Sequence, residues 1–149
     1  MKQELPIAIR PAEPHDASQI SRLLDQLGYG DDPEAIAKRL DALIAQPANM
    51  ILVAENESRN LLGCIHVLTA NRLAEGAYGE IASLVIAETH RSHGIGRQLV
   101  EHAVRWLQKK GMIKMRVRCN VIRKGAHRFY DRLGFGETKS QKVFDRKLA

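Results

Sequence analysis

The stretch Glu80-Ile81-Ala82-Ser83-Leu84-Val85-Ile86-Ala87-Glu88-Thr89-His90-Arg91-Ser92-His93-Gly94-Ile95-Gly96-Arg97 decides the fold. Its first part, Glu80 to Ile86, is almost continuously apolar, the pattern of a strand buried on both faces in mid-sheet. Its last part opens a helix with Leu99, Val100, Ala103, Val104 and Leu107 inward and Gly111 as terminator. A polar loop joins them. Such a loop turns backbone N–H groups outward at the positive end of a helix dipole, where a phosphate binds. Gly94 and Gly96 permit close approach, and Arg91, His93 and Arg97 add positive charge, arginine in forked contacts. Taken alone, the glycine pair fits a structural turn equally well. The phosphate loop ending in Gly-Lys-Ser/Thr is absent. Arg91-x-x-Gly94-x-Gly96 also lacks the third glycine of a dinucleotide fingerprint, so nucleotide hydrolysis and hydride transfer lose ground.

Working outward, Pro6 to Arg10 reads as a short first strand, and Asp16 caps a helix running to about Leu27, with Gly28 behind it. Asp32-Pro33 is an N-cap followed by a first-turn proline, opening a helix with Ile36, Leu40, Leu43 and Ile44 on its apolar stripe. Met50 to Glu55 and Leu61 to Thr69 read as paired strands around a turn at Asn56 to Asn60. Ala70 to Gly79 reads as a polar loop. Lys114 to Cys119 alternates as a strand, Ala126 to Leu133 is helical, and Gly134-Phe135 leads into a last hairpin ending near Leu148. The result is an α/β chain with a mixed sheet, expected to form one domain over residues 1–149.

At 149 residues and 44% hydrophobic, the chain buries one core. No stretch approaches the apolar length of a membrane span, and the start lacks a signal-peptide apolar core, so a soluble cytoplasmic protein is expected. Cys64 and Cys119 show no CxxC pair and no histidine cluster, which argues against a metal and a disulfide and for reduced packing residues. Net charge is +6, and residues 91–132 hold twelve Arg and Lys against Glu101 and Asp131. That field suits nucleic acid, an acidic partner or a phosphorylated cofactor. Few aromatics accompany the bases, and no nucleic-acid-binding signature appears, so nucleic acid is the least favoured of the three.

Arg91-Ser92-His93-Gly94-Ile95-Gly96 resembles the (Arg/Gln)-x-x-Gly-x-(Gly/Ala) motif of the GNAT acetyltransferases, in the same strand-loop-helix setting. Ala126-His127-Arg128-Phe129-Tyr130-Asp131-Arg132-Leu133-Gly134-Phe135 resembles that family's carboxyl-terminal block. The resemblance implies a mostly antiparallel sheet splayed between two parallel strands, flanked by about four helices, with acetyl-CoA in the gap and no metal. It implies that the backbone of Leu84, Val85 and Ile86 pairs with pantetheine and that the Ser92 to Arg97 loop, with Ile95 and Arg91, holds the pyrophosphate. Many relatives have Asn seven residues before the tyrosine; here that place is Arg123, so Asn120 or Arg123 contacts the cofactor, with His127 nearby.

Tyr130 matches the tyrosine that protonates the departing thiolate in many relatives, against a packing role with Phe129 on a short helix. Glu80 stands eleven residues before Arg91, where some amine-acetylating relatives place a general base. A carboxylate of ordinary pKa, about 4.3, is a poor base for an ammonium of about 10.4, so this position calls for burial, a relaying water or an orienting role. A strand-end salt bridge is the structural alternative. Cys119 as a nucleophile lacks an activating histidine and acid, and His66, mid-strand, reads as a core residue. The implied reaction is direct acetylation of a small primary amine. A sensor that only binds acetyl-CoA, or an enzyme acting on protein lysines or amino termini, are the alternatives. The amino-terminal helices, the 70–79 loop and the final hairpin are the expected substrate-selecting and dimer surfaces.

Overall fold

The computed structural model describes residues 6–119 and 124–149, in two compact units divided between Val117 and Arg118. In the first unit the elements run β1 (Ala8–Pro11), α1 (Ala17–Asp25), α2 (Pro33–Ile44), β2 (Asn49–Glu55), β3 (Leu61–Arg72), β4 (Gly76–Ile86), α3 (Ile95–Lys109) and β5 (Met115–Val117). The strands lie in the order β1-β2-β3-β4-β5. The first three pairings are antiparallel and β4 with β5 is parallel, as a crossover through α3 requires. The second unit carries α4 (Lys124–Arg132).

The sheet is covered on both faces. On one side α1 and α2 set Ile20, Leu23, Ile36 and Leu40 against Val53, Cys64 and Val85, all buried. On the other, α3 brings Ile95, Leu99 and Leu107 onto the glycines of the strands. Gly63 faces Leu99 and Ile95, and Gly79 faces the Leu107 isobutyl group so closely that a Cβ there would overlap it. These glycines let the helix axis approach the sheet.

Two of the expected segments change. Residues 70–79 are not a loop: β3 runs on to Arg72, β4 starts at Gly76, and only 73–75 turn between them. Cross-strand pairs from Ala70↔Tyr78 to Arg72↔Gly76 carry the extension, information that polar residues do not show locally. The expected last hairpin is also absent, since no regular element follows Arg132 among the described residues.

Asp32 caps α2 as expected, accepting the Glu34 N–H at 3.1 Å behind Pro33. Asp16 does something else. Its side chain makes no cap bond to α1; it accepts both Arg10 Nη groups, at 2.8 and 2.9 Å, and the Glu13 N–H at 2.8 Å, with only 1% of the side chain exposed. Arg10 also donates to Glu55 Oε2 at 2.9 Å, tying β1, β2 and the start of α1 together. Burial pushes the Asp16 carboxyl up, but the Arg10 and Glu13 hydrogen bonds outweigh it and hold it below its ordinary value.

A lowered folded-state pKa contributes stability above the unfolded value of about 3.9, and this contribution disappears as pH falls through the folded value. Asp16→Asn is expected to lose about 2 kcal/mol at pH 7 and to flatten the fall in stability below about pH 4, as read by urea unfolding across pH. An unchanged acid limb would show that Asp16 is not the controlling carboxylate. Gly79→Ala, by overpacking Leu107, is expected to cost about 1–3 kcal/mol in the same assay.

Candidate active site

The strand edge comes first. Cys64 pairs with Val85 and His66 with Ser83, but Val67 pairs with Ile81, so Ala82 is an extra residue bulged out of β4. β5 pairs with β4 only at Gly79, Glu80 and Ile81. Beyond that point residues 82–86 have no strand partner on the β5 side among the described residues, which leaves that stretch of edge open among them. The Ala87 N–H donates to Leu62 O, so by the alternation of strand backbone Leu84 and Ile86 turn their N–H and C=O toward the open edge. Val85 turns its backbone to Cys64 and its side chain into the core. Of the three residues expected to present backbone groups there, Leu84 and Ile86 do so.

The loop after β4 continues this edge. Ser92 has φ 68° and Gly94 has φ 79°, two left-handed residues that bracket His93. For Ser92 this costs roughly 1–2 kcal/mol, backbone strain of the kind that functional loops retain. Gly94 is the N-cap of α3, and no side chain caps that end. Alternating left-handed residues at an uncapped, positively polarised helix end form an anion-binding concavity. Ile95 and Gly96 are buried, Arg91 and Ser92 exposed, and Arg97 donates along the helix to Glu101 at 3.0 Å. His93 is half-buried, and its Nδ1 is shielded from solvent without a hydrogen-bond partner among the described residues. An orphaned buried nitrogen costs on the order of 1–3 kcal/mol, which an oxyanion in this loop would relieve. The residues present therefore fit a pyrophosphate. His90, to which sequence reasoning assigned no role, stands alongside with its ring centroid 6.3 Å from that of His93.

Glu80 lies at the other end of the opening, half-buried, opposite Leu68 on β3 and Arg116 on β5. It shares a face of β4 with Tyr78, the face away from α3. Tyr78 is fully buried, with Arg116 stacked 4.4 Å from its ring centroid and Lys114 at 5.2 Å. Arg72 Nε donates to Tyr78 Oη at 2.8 Å, and Arg116 forks onto the Glu75 carboxylate. The Arg116 hydrogen bond, opposed by some desolvation and aided by Lys114, holds the Glu75 carboxyl down to about 2. Sequence reading missed this cluster because it took the segment as a loop.

In the second unit, Tyr130 sits on α4 with its ring edge-on to Phe129 at 5.0 Å and to Phe135 at 5.4 Å. The Phe135 N–H donates to Tyr130 O and the Gly134 N–H to Asp131 O, with Gly134 at φ 91°. This is a Schellman motif whose apolar contact is Tyr130 against Phe135. The Gly-Phe pair thereby fixes the tyrosine's surroundings. His127 is on the same helix, and Asn120 and Arg123 lie outside the described residues.

His66 is a satisfied sheet residue, its Nε2 2.8 Å from Asn49 Oδ1, and burial holds its pKa down. Burial pushes the Cys64 thiol up to about 12, leaving it inert, and Cys119 is half-buried.

The acetyltransferase (GNAT) family model matches residues 17–135. An uncharacterized N-acetyltransferase of Bacillus subtilis (strain 168) is 32% identical over 114 residues, 76% of this chain and 80% of the relative. The chain belongs to the GNAT acetyltransferase family. Its fold is that of aminoglycoside 6'-N-acetyltransferase AAC(6')-Ih from Acinetobacter baumannii, with TM-score 0.85 and 17% identity over 97% of this chain and 100% of that one. AAC(6')-Iy, in complex with the bisubstrate analogue CoA-S-monomethyl-acetylneamine, superposes with TM-score 0.84 and 18% identity over 97% and 99% of the two chains. This GNAT protein is an acetyl-CoA-dependent N-acetyltransferase. Among its described residues no helix is long and apolar enough to cross a membrane.

Gly94→Ala places a side chain at φ 79° in the cap of α3. It is expected to cost about 1–2 kcal/mol of stability and to weaken acetyl-CoA binding in isothermal titration. Unchanged affinity would remove the cap from the cofactor site.

Proposed function

We propose that this acetyltransferase moves the acetyl group of acetyl-CoA directly to a primary amine of a small molecule, within a ternary complex. The observation that carries the reading is the continuity of the open β4 edge at Leu84 and Ile86 with the left-handed cap at Ser92 and Gly94. One extended thioester with a pyrophosphate at its far end can be held by these two backbone surfaces in sequence. Leu84 and Ile86 take the pantetheine arm, with Val85 anchoring the strand in the core. Arg91, Ser92, His93, Gly94, Ile95, Gly96 and Arg97 surround the pyrophosphate, and Asn120, Arg123 and His127 are its further contacts.

As the amine nitrogen bonds to the carbonyl carbon and the C–S bond breaks, a backbone N–H at the opened edge stabilises the developing oxyanion. Tyr130 donates its proton to the departing sulfur. Glu80 accepts the amine proton through water or orients the ammonium. The reading takes residues 1–149 as one domain, supported by a family match that runs through both units. A homodimer in the cytoplasm completes the proposal. A small acceptor is supported by the relatives' names, which include aminoglycoside acetyltransferases.

Thiol release measured across a panel of amines tests it. Tyr130→Phe is expected to lower kcat about 10²-fold with acetyl-CoA affinity retained, and Glu80→Gln to lower kcat/KM and change its pH profile. Full activity in Tyr130→Phe would remove it as the acid, and tight acetyl-CoA binding with no amine turned over would sink the small-amine reading.

A further inference from the structure

We propose that the acceptor amine carries an oxyanion, a carboxylate or phosphonate, received by the guanidinium fork of Arg72. The proposal rests on reading Glu80 as the acceptor end of the site. Arg72, Tyr78, Glu80 and Arg116 occupy one face of the sheet, the face away from α3. The hydrogen bond from Arg72 Nε to Tyr78 Oη and the Arg116 stack on the Tyr78 ring place them there. Tyr78 is fully buried, so its hydroxyl is a fixed post, and a guanidinium held by Nε is aimed before any ligand arrives.

What Arg72 does not do is as telling. Among the described residues no acceptor takes its two Nη groups, and the residue is exposed. Arg116, by contrast, has its fork filled by Glu75, with Lys114 Nζ 3.4 Å from the same carboxylate. The patch already holds one carboxylate in forked geometry and keeps a second fork open. An ion-pair staple for the hairpin end accounts for Arg116, Lys114 and Glu75, and leaves the open fork of Arg72 unexplained.

Charge sets the class of ligand. Arg72, Lys114 and Arg116 face Glu75 and Glu80, an excess of one positive charge. The register sets Leu68 opposite Glu80, Ala70 opposite Tyr78 and Arg72 opposite Gly76, so Arg72 and Glu80 share a face of the β3–β4 pair with Tyr78 between them. A polycation meets repulsion from this group. A small zwitterion places its ammonium at Glu80 and its oxyanion at Arg72, matching both signs.

The test compares 2-aminoethylphosphonate and β-alanine with ethanolamine and putrescine as acceptors, reading kcat/KM by thiol release. The account expects the anionic amines to be preferred over ethanolamine by about tenfold or more, with the preference weakened by salt. Arg72→Ala should collapse that ratio, whereas Glu75→Gln, which removes a competing carboxylate, should raise it; a staple alone would move neither. Equal use of ethanolamine, or a ratio unmoved in Arg72→Ala, overturns the proposal while leaving the small-amine reading in place. Should no amine be turned over, calorimetry of 2-aminoethylphosphonate and ethanolamine against the coenzyme A complex decides it. Binding of the phosphonate alone, lost in Arg72→Ala, supports the proposal, and equal or absent binding overturns it.

Discussion

Opposite His66 and Val67 of β3, the partner strand sets Ser83 and Ile81, with Ala82 as an additional residue between them. A bulge increases local twist and bends its strand, and β5 follows β4 only as far as Ile81. Past the bulge, Leu84 and Ile86 hold their hydrogen-bonding groups along an edge with no strand against it among the described residues. An unpaired edge is a liability unless something pairs with it. In the function proposed above, the amide-bearing arm of acetyl-CoA is the group that pairs with it, adding to a strand edge as a peptide does.

The edge serves the chemistry only if its continuation is held at the right height. α3 does this by lying close on the sheet, with Leu107 over Gly79 at one end and Leu99 and Ile95 over Gly63 at the other. Its amino terminus is thereby fixed beside the end of β4, and the left-handed residues Ser92 and Gly94 turn the chain sharply enough to leave that terminus bare. Packing, backbone conformation and helix dipole therefore act on the same few residues. At the opposite edge of the sheet, Asp16 and Glu55 clamp Arg10 and fasten the helical cover to the strands. The remaining face of β4 is left for Glu80 and the cationic group around Tyr78.

Much of this was legible in the chain. The apolar run from Glu80 to Ile86, the loop motif and the stripe of α3 are local patterns whose periods declare the elements. Asp32-Pro33 announced α2 in the same way. What escaped is non-local. The bulge at Ala82 depends on which residue of β3 lies opposite, and no period of two or 3.6 contains that. The strand ends at residues 70–72 and 76–79 lack an apolar alternation, because Arg72 and Tyr78 there and Glu75 in the turn between them serve the cluster around Arg116, and so they read as a loop. Asp16 looked like a cap because caps are the common use of aspartate before a helix; its true partner is Arg10, six residues back on β1, which Glu55 of β2 holds from the other side. The Gly134-Phe135 pair was matched by resemblance, and its physical role as the Schellman closure against Tyr130 emerges only from the hydrogen bonds.

Amide hydrogen exchange with and without acetyl-CoA tests the central claim most directly. The account predicts new protection at the Leu84 and Ile86 amides and in the first turn of α3 from Ile95, while Val85, already paired across to Cys64, changes little. Protection absent from residues 84–97, or arising only elsewhere in the chain, would contradict it.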